Sequence, residues 1–273
     1  MRITFHGHAC VAVRHAGGVV VLDPGSFSDT SGALGDADAV LVTHEHPDHV
    51  DPGALGAALA ARPGLVVWVP EAVAASLRAS LPDGGERVHT VVPGDRLDVG
   101  GLQVLVGGGR HAVIHPDVPR IANVTYLLRA GGASVYHPGD SFDLPGGADL
   151  GVLLAPVSAP WLKLAETIDF VRAVDPAVVV PIHDALLSDV GHGAVGRLLD
   201  ERRTGGTYTY RPLALGESVD VAERGGEAAS AVTAELLREH PEYVEVHLLE
   251  DDETVPPRPE EEVADTARIE TGQ

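Results

Sequence analysis

The chain has 273 residues and 44% hydrophobic content, enough for one large α/β domain or two small ones with a core of Ala, Val, Leu and Gly. Its net charge is −21, of which −11 falls from Ala222 onward (15 acidic and 4 basic residues), and the body is still acidic without that end. This charge argues against a groove built for nucleic-acid phosphates, the single cysteine, Cys10, rules out an intrachain disulfide or thiolate cluster, and no apolar run reaches the ~20 residues that cross a bilayer.

Residues 1–6 enter a strand-like pattern with no signal-peptide apolar region, so a cytoplasmic protein is expected. Residues 2–13 alternate loosely and 19–22 are apolar, with Ala16-Gly17-Gly18 between them as a hairpin turn. His6 and His8 fall in the first strand, either supporting a neighbouring metal site or as ordinary hydrogen-bonded sheet residues. Asp23, before Pro24-Gly25, either orients a site or forms the turn.

Residues 37–43 form a buried strand that runs into His44-Glu45-His46-Pro47-Asp48-His49. Imidazole and carboxylate are ligand types for Zn²⁺ and neighbouring first-row ions. His44 and His46, two apart in extended backbone, face the same way, and the turn at Pro47 brings Asp48 and His49 back toward the same space. Four ligands from so short a segment cannot all reach one ion, which suggests two adjacent ones.

Helices are expected over 52–61 and 71–81, strands over 65–69, 87–92, 96–99 and 102–106. Strand–helix–strand order implies parallel pairing with helices packed outside. Three later apolar runs end on ligand-type residues, as the first does: 102–106 leads to His111, 133–136 to His137 and Asp140, and 177–180 to His183. In open α/β sheets ligands gather outside the carboxyl ends of the strands. His115, in a Pro-containing loop over 112–123, competes with His111, which lies nearer the strand end. Trp161 and Lys163 sit on a second loop before a helix bearing Leu164, Ile168 and Val171 on one face; Trp161 either touches substrate or packs the loop.

The domain is expected to end near residue 221. The acidic extension 222–273 offers an Ala-rich helix over 227–240, alternation over 244–248 and an acidic, Pro-rich, disordered end over 250–273.

The segment His44-x-His46-x-Asp48-His49 resembles the signature of the metallo-β-lactamase superfamily, and His111, Gly139-Asp140 and Pro181-Ile182-His183 resemble its remaining metal motifs in order. Gly7-His8-Ala9 and Leu22-Asp23-Pro24 are similar to a branch of ascorbate-phosphate-lactonase-like and related metal-dependent hydrolases. The resemblance covers about residues 1–220. It implies an αββα sandwich with a dinuclear site at the sheet edge: His44, His46 and His111 on one divalent ion, Asp48, His49 and His183 on the other, Asp140 bridging. Zn²⁺ suits this set best, with Mn²⁺ or Fe²⁺ also compatible. The implied activity is hydrolysis of an ester, lactone or phosphodiester of a small molecule by a water that the ions ionise near neutral pH, with Asp48 as catalytic partner. The other readings are a nuclease of the same fold and a non-catalytic metal-binding protein. No membrane partner is expected.

Overall fold

Strand residues of this chain alternate between two apolar environments, and the alternation builds the layers. In a computed structural model, which describes residues 1–80, 85–146 and 149–223, the chain divides into two units, Met1–Ala229 and Ser230–Gln273. The fold below is that of the first. The helix, strand and acidic end expected beyond residue 226 lie outside the described residues.

The elements run β1 (Arg2–Phe5), β2 (Val11–His15), β3 (Gly18–Leu22), α1 (Thr30–Leu34), β4 (Ala39–Leu41), α2 (Pro52–Ala61), β5 (Val66–Val69), α3 (Glu71–Ser80) and β6 (Val88–Thr90). There follow β7 (Arg96–Val99), β8 (Leu102–Gly108), β9 (Val124–Ala130), β10 (Ala133–His137), β11 (Val152–Pro156), α4 (Leu164–Val174), β12 (Val178–Ile182), α5 (Asp189–Leu199), α6 (Glu201–Thr204), β13 (Thr209–Tyr210) and β14 (Ser218–Asp220). One sheet has the order β14-β1-β2-β3-β4-β5-β6, the other β13-β12-β11-β10-β9-β8-β7. Each is antiparallel through its first hairpins and parallel afterwards, from β3 to β6 and from β10 to β13. The parallel pairs require crossovers, which helices supply from β3 to β6 and from β11 to β13.

Val20, Leu22 and Leu41 point inward and meet Val104, Tyr126, Leu128 and Val180 of the opposite sheet. Their neighbours Val21, Val40 and Val67 point outward, beneath Leu55, Leu59, Val73 and Leu77 of α2 and α3. On the second sheet Tyr136, Leu153 and Val179 lie beneath Phe170, Val171 and Leu199 of α4 and α5. The result is an αββα sandwich. Leu41 is fully buried just before the histidine segment, so Leu41→Ala would cost about 2–5 kcal/mol.

At one edge the two sheets are stitched together. Val124 N–H donates to Thr43 O (2.9 Å), His183 N–H to His8 O (2.9 Å), and the Tyr126 hydroxyl to Val42 O (2.9 Å). The carboxyl ends of β4, β8, β10 and β12 converge there. Helices α2 and α3 and strand β7 fall where the sequence predicts them, whereas β9, β11, α1 and α5 were not expected. His6 and His8 are not in a strand: β1 ends at Phe5, and both lie in a turn closed by His6 N–H to Cys10 O (2.8 Å) and Cys10 N–H to Gly7 O (2.9 Å). Gly7 with φ +99° and His8 with φ +52° turn the chain away from the sheet ladder and swing the His8 ring toward Asp48.

Candidate metal centre

The histidine segment is held by its flanks. After β4 the chain turns with His49 N–H and Val50 N–H both on His46 O (3.0 Å each). It then enters α2 at once, with Asp51 accepting from Ala54 N–H (3.0 Å) and Pro52 in the first turn. The loop after β3 passes so close that a Cβ on Gly25 would collide with the Asp48 carbonyl. Asp140 follows a turn in which Gly139 has φ +58° and lies 2.7 Å, from its would-be Cβ, to the Cβ of Thr43. Asn123 clamps that turn, its amide donating to Pro138 O and its oxygen accepting from Asp140 N–H, both at 3.0 Å.

Two groups of side chains result, His44/His46/His111/Asp140 and His8/Asp48/His49/His183, each with ligand atoms within 4.8 Å of one another. Asp140 stands between them: one oxygen is 3.0 Å from His49 Nε2, the other 3.2 Å from His111 Nε2 and 3.3 Å from His183 Nε2. His44 Nε2 lies 3.0 Å from His46 Nδ1, and His183 Nε2 lies 3.3 Å from Asp48 Oδ2. Two donors at zinc bond lengths and a tetrahedral angle are about 3.3 Å apart. Separations of 3.0–3.3 Å therefore fit donors gathered around shared cations.

The far sides of the rings fix which nitrogen faces inward. Nδ1–H donates to Asp23 in His49 (2.7 Å), to Ala112 O in His111 (2.7 Å) and to Ser158 O in His183 (2.5 Å). In His44 it donates to the Thr43 hydroxyl (3.0 Å), which itself donates to Asp23 (2.7 Å). Each ring thus turns its Nε2 to the centre, the anchored arrangement that metal-ligating histidines adopt. Among the described residues, five buried side-chain polar atoms lack a hydrogen-bond partner, and four are His49 Nε2, His111 Nε2, His183 Nε2 and Asp140 Oδ1. Orphaned buried polar atoms are costly in an ordinary core. Here they face one another.

Charge balance points the same way. Burial pushes the Asp140 carboxyl up, but His49, His111 and His183 more than compensate and hold it well below the usual range. Burial depresses His49 and His183, yet Asp140 with Asp23 raises the first, and Asp140 with Asp48 raises the second to about 9. Burial keeps His44, His46 and His8 below the usual imidazole value, hence neutral. Three carboxylates, Asp23, Asp48 and Asp140, thus hold positive charge where cations fit.

Of the residues named from sequence, His44, His46, Asp48, His49, His111, Asp140 and His183 come together. His8 joins them differently: Ala185 N–H donates to its Nδ1 (3.3 Å), so its Nε2–H donates to Asp48 (3.0 Å). Asp23 is a fully buried acceptor for Thr43 N–H, the Thr43 hydroxyl and His49, rather than only a turn former. The Trp161 indole N–H donates to Asp140 (2.9 Å) while its ring packs edge-on to Phe142. His115 is not brought in: its exposed ring turns to Asp117 within its own loop. Lys163 pairs with Glu166 (3.4 Å). His137 is buried with both nitrogens bonded, to Ala9 O and Gly139 N–H. Asn123 was missed, and only its place one residue before β9 hints at a structural task.

A family model described as a beta-lactamase superfamily domain matches residues 2–183. A Mycobacterium tuberculosis protein, Rv0786c, is 37% identical over 207 residues, 75% of this chain and 94% of its own length. A UPF0173 metal-dependent hydrolase of Methanopyrus kandleri is 30% identical over 200 residues, 67% of this chain and 84% of its own. Igni18, a metallo hydrolase of Ignicoccus hospitalis, shares the fold at TM-score 0.60 and 19% identity, over 80% of this chain and 97% of its own. None of the described helices is long and apolar enough to cross a membrane. On the domain match, the Mycobacterium relative and the αββα architecture together, the chain belongs to the beta-lactamase superfamily.

Proposed function

We propose that this protein is a metal-dependent hydrolase of a small molecule, with two divalent ions, best met by Zn²⁺, held by the convergent cluster. His44, His46 and His111 serve one ion, Asp48, His49 and His183 the other, and Asp140 lies between. The observation that carries this reading is the set of four orphaned buried atoms facing one another, with the opposite side of each ring anchored. The names of relatives such as the Methanopyrus hydrolase support the reaction class. When bound, such ions polarise the substrate's electrophilic carbonyl or phosphoryl group and lower the pKa of water.

The chain's own residues supply the rest. Asp48 is held ionised: burial works against this, but His183 and His8 outweigh it. Its side chain is 19% exposed, so one edge faces incoming water and accepts a hydrogen bond from the nucleophile. His8 fixes the rotation of that carboxylate, Asp23 that of the His49 ring, and Trp161 that of Asp140. Ester, lactone and phosphodiester bonds are all within reach of this apparatus. The test is a screen of generic ester, lactone and phosphodiester substrates with zinc-loaded protein, repeated after chelation and after re-addition of metal. Turnover that is lost and regained supports the reading. Turnover indifferent to the chelator would overturn it.

A further inference from the structure

Most exposed large apolar side chains on a small protein are scattered singly and mean little. Three here are not. Phe27, Leu186 and Leu215 are all exposed, and all adjoin the turn that carries His8. The Phe27 ring packs edge-on to the His8 ring, centroids 5.3 Å apart. A Cβ on Gly7 would meet Phe27 O at 3.4 Å and the Leu215 side chain at 3.5 Å. Leu186 follows Ala185, whose N–H donates to His8 Nδ1. His8 in turn holds Asp48. The three side chains come from separate loops, after β3, after β12 and before β14, that meet at the turn of Gly7 and His8.

The stretches that bear them, Ser26-Phe27-Ser28, Ala185-Leu186-Leu187 and Leu213-Ala214-Leu215, contain no Lys or Arg. In the other half, Arg120 donates to His111 O (2.7 Å) and Arg110 adjoins His111 in sequence. Apolar side chains thus gather around the turn of His8, the residue that holds Asp48, while the Arg120 guanidinium lies against the His111 backbone. Exposed apolar surface continuous with a polar reaction centre is what a site uses to hold an apolar substituent next to a reacting polar group.

We propose that Phe27, Leu186 and Leu215 form a specificity ledge for an alkyl or acyl chain, so that the substrate carries an apolar substituent beside the bond cleaved. This rests on the metal-centre reading above. It is tested by binding, without knowledge of the substrate, using straight-chain alkyl hydroxamates from acetohydroxamate to octanohydroxamate on zinc-loaded protein, with displacement followed by calorimetry. The hydroxamate anchors on the ions and the chain reports the ledge. Affinity is expected to rise about two-fold per added methylene, roughly 60-fold across the series, less than the figure for full burial because the ledge is open on one side. In Leu186→Ser/Leu215→Ser, acetohydroxamate affinity stays at the wild-type value while the chain-length dependence flattens to a few-fold at most.

A wild-type series with no chain-length dependence, or one equally steep in the double variant, would overturn the ledge and leave the metal centre standing. No binding by any member would overturn both. A wild-type dimer that the double variant turns into a monomer, measured by sedimentation, would reassign these side chains to a subunit interface and also end the proposal.

Discussion

Replacing Asp23 with Asn tests the inner logic of the site without touching a group proposed to hold metal. The Asp23 carboxylate is fully buried and accepts three hydrogen bonds, from Thr43 N–H, the Thr43 hydroxyl and His49 Nδ1–H, each at 2.7 Å. Its backbone is left-handed, φ +44°, a conformation that Asn tolerates as Asp does and that Ala tolerates less well. Asp23→Ala would leave two N–H groups without an acceptor in a dry site and add strain, about 3–5 kcal/mol together, a large part of the roughly 5–15 kcal/mol that stabilises a domain. Asp23→Asn is subtler. Thr43 N–H can only donate, so it pins the amide oxygen. The NH₂ then occupies the position that faced the Thr43 hydroxyl and His49. The hydroxyl can rotate and accept. His49 can accept at Nδ1 only by moving its proton to Nε2, the atom aimed at Asp140. The expected stability loss is about 1–3 kcal/mol, with a ~10- to 100-fold loss of affinity for one ion and not the other. Chelator-competition titration and thermal unfolding with and without zinc measure both. Wild-type affinity for two ions in Asp23→Asn would refute the tautomer argument.

Other outcomes follow from the same geometry. Asp140→Ala removes the carboxylate between the two groups and should abolish hydrolysis and weaken retention of at least one ion. Asp184→Ala should be far milder, since that side chain faces His192 at 4.0 Å and lies in neither group; metal analysis of the two variants side by side decides. His8→Ala frees the Asp48 carboxylate to rotate and should cost ~10- to 100-fold in affinity for the ion at Asp48 while leaving the total ion count at saturation unchanged, read by the same titration. In chelated protein, His49 and His183 are raised by their carboxylate partners, His183 to about 9. Their stabilisation is complete below the unfolded imidazole value near ~6.5 and is lost as pH rises toward 9. Asp140 is depressed and keeps its contribution across that interval. The melting temperature should therefore fall between pH 6.5 and 8.5 in chelator, and hold or rise with zinc, which replaces those protons. A flat profile in chelator would count against the charge balance described.

Much of this site was legible in the sequence because its chemistry is concentrated at the ends of apolar runs. The segment from His44 to His49 names its own residue types, and His111, Asp140 and His183 each follow a strand whose apolar run is plain. Helices α2 and α3 were readable from their Pro and Gly boundaries. The orienting groups were harder. His111 and His183 are anchored by the carbonyls of Ala112 and Ser158, and every residue carries a carbonyl. His8 looked like a strand residue because Ile3, Phe5 and Val11 around it alternate, yet the positive φ at Gly7 and His8 breaks the ladder and creates the contact with Asp48. The roles of Asn123 and Trp161 depend on distant segments meeting, which a linear pattern does not encode. Strand β11, buried along its whole length, lacks the alternation that marks a half-exposed strand.

The most direct measurement is the zinc stoichiometry of the full chain by equilibrium dialysis at saturating free metal. Two buried ligand groups sharing Asp140 predict two ions per chain, both removed by chelator. Binding that saturates at one ion or fewer would contradict the two-ion centre on which the functional reading stands.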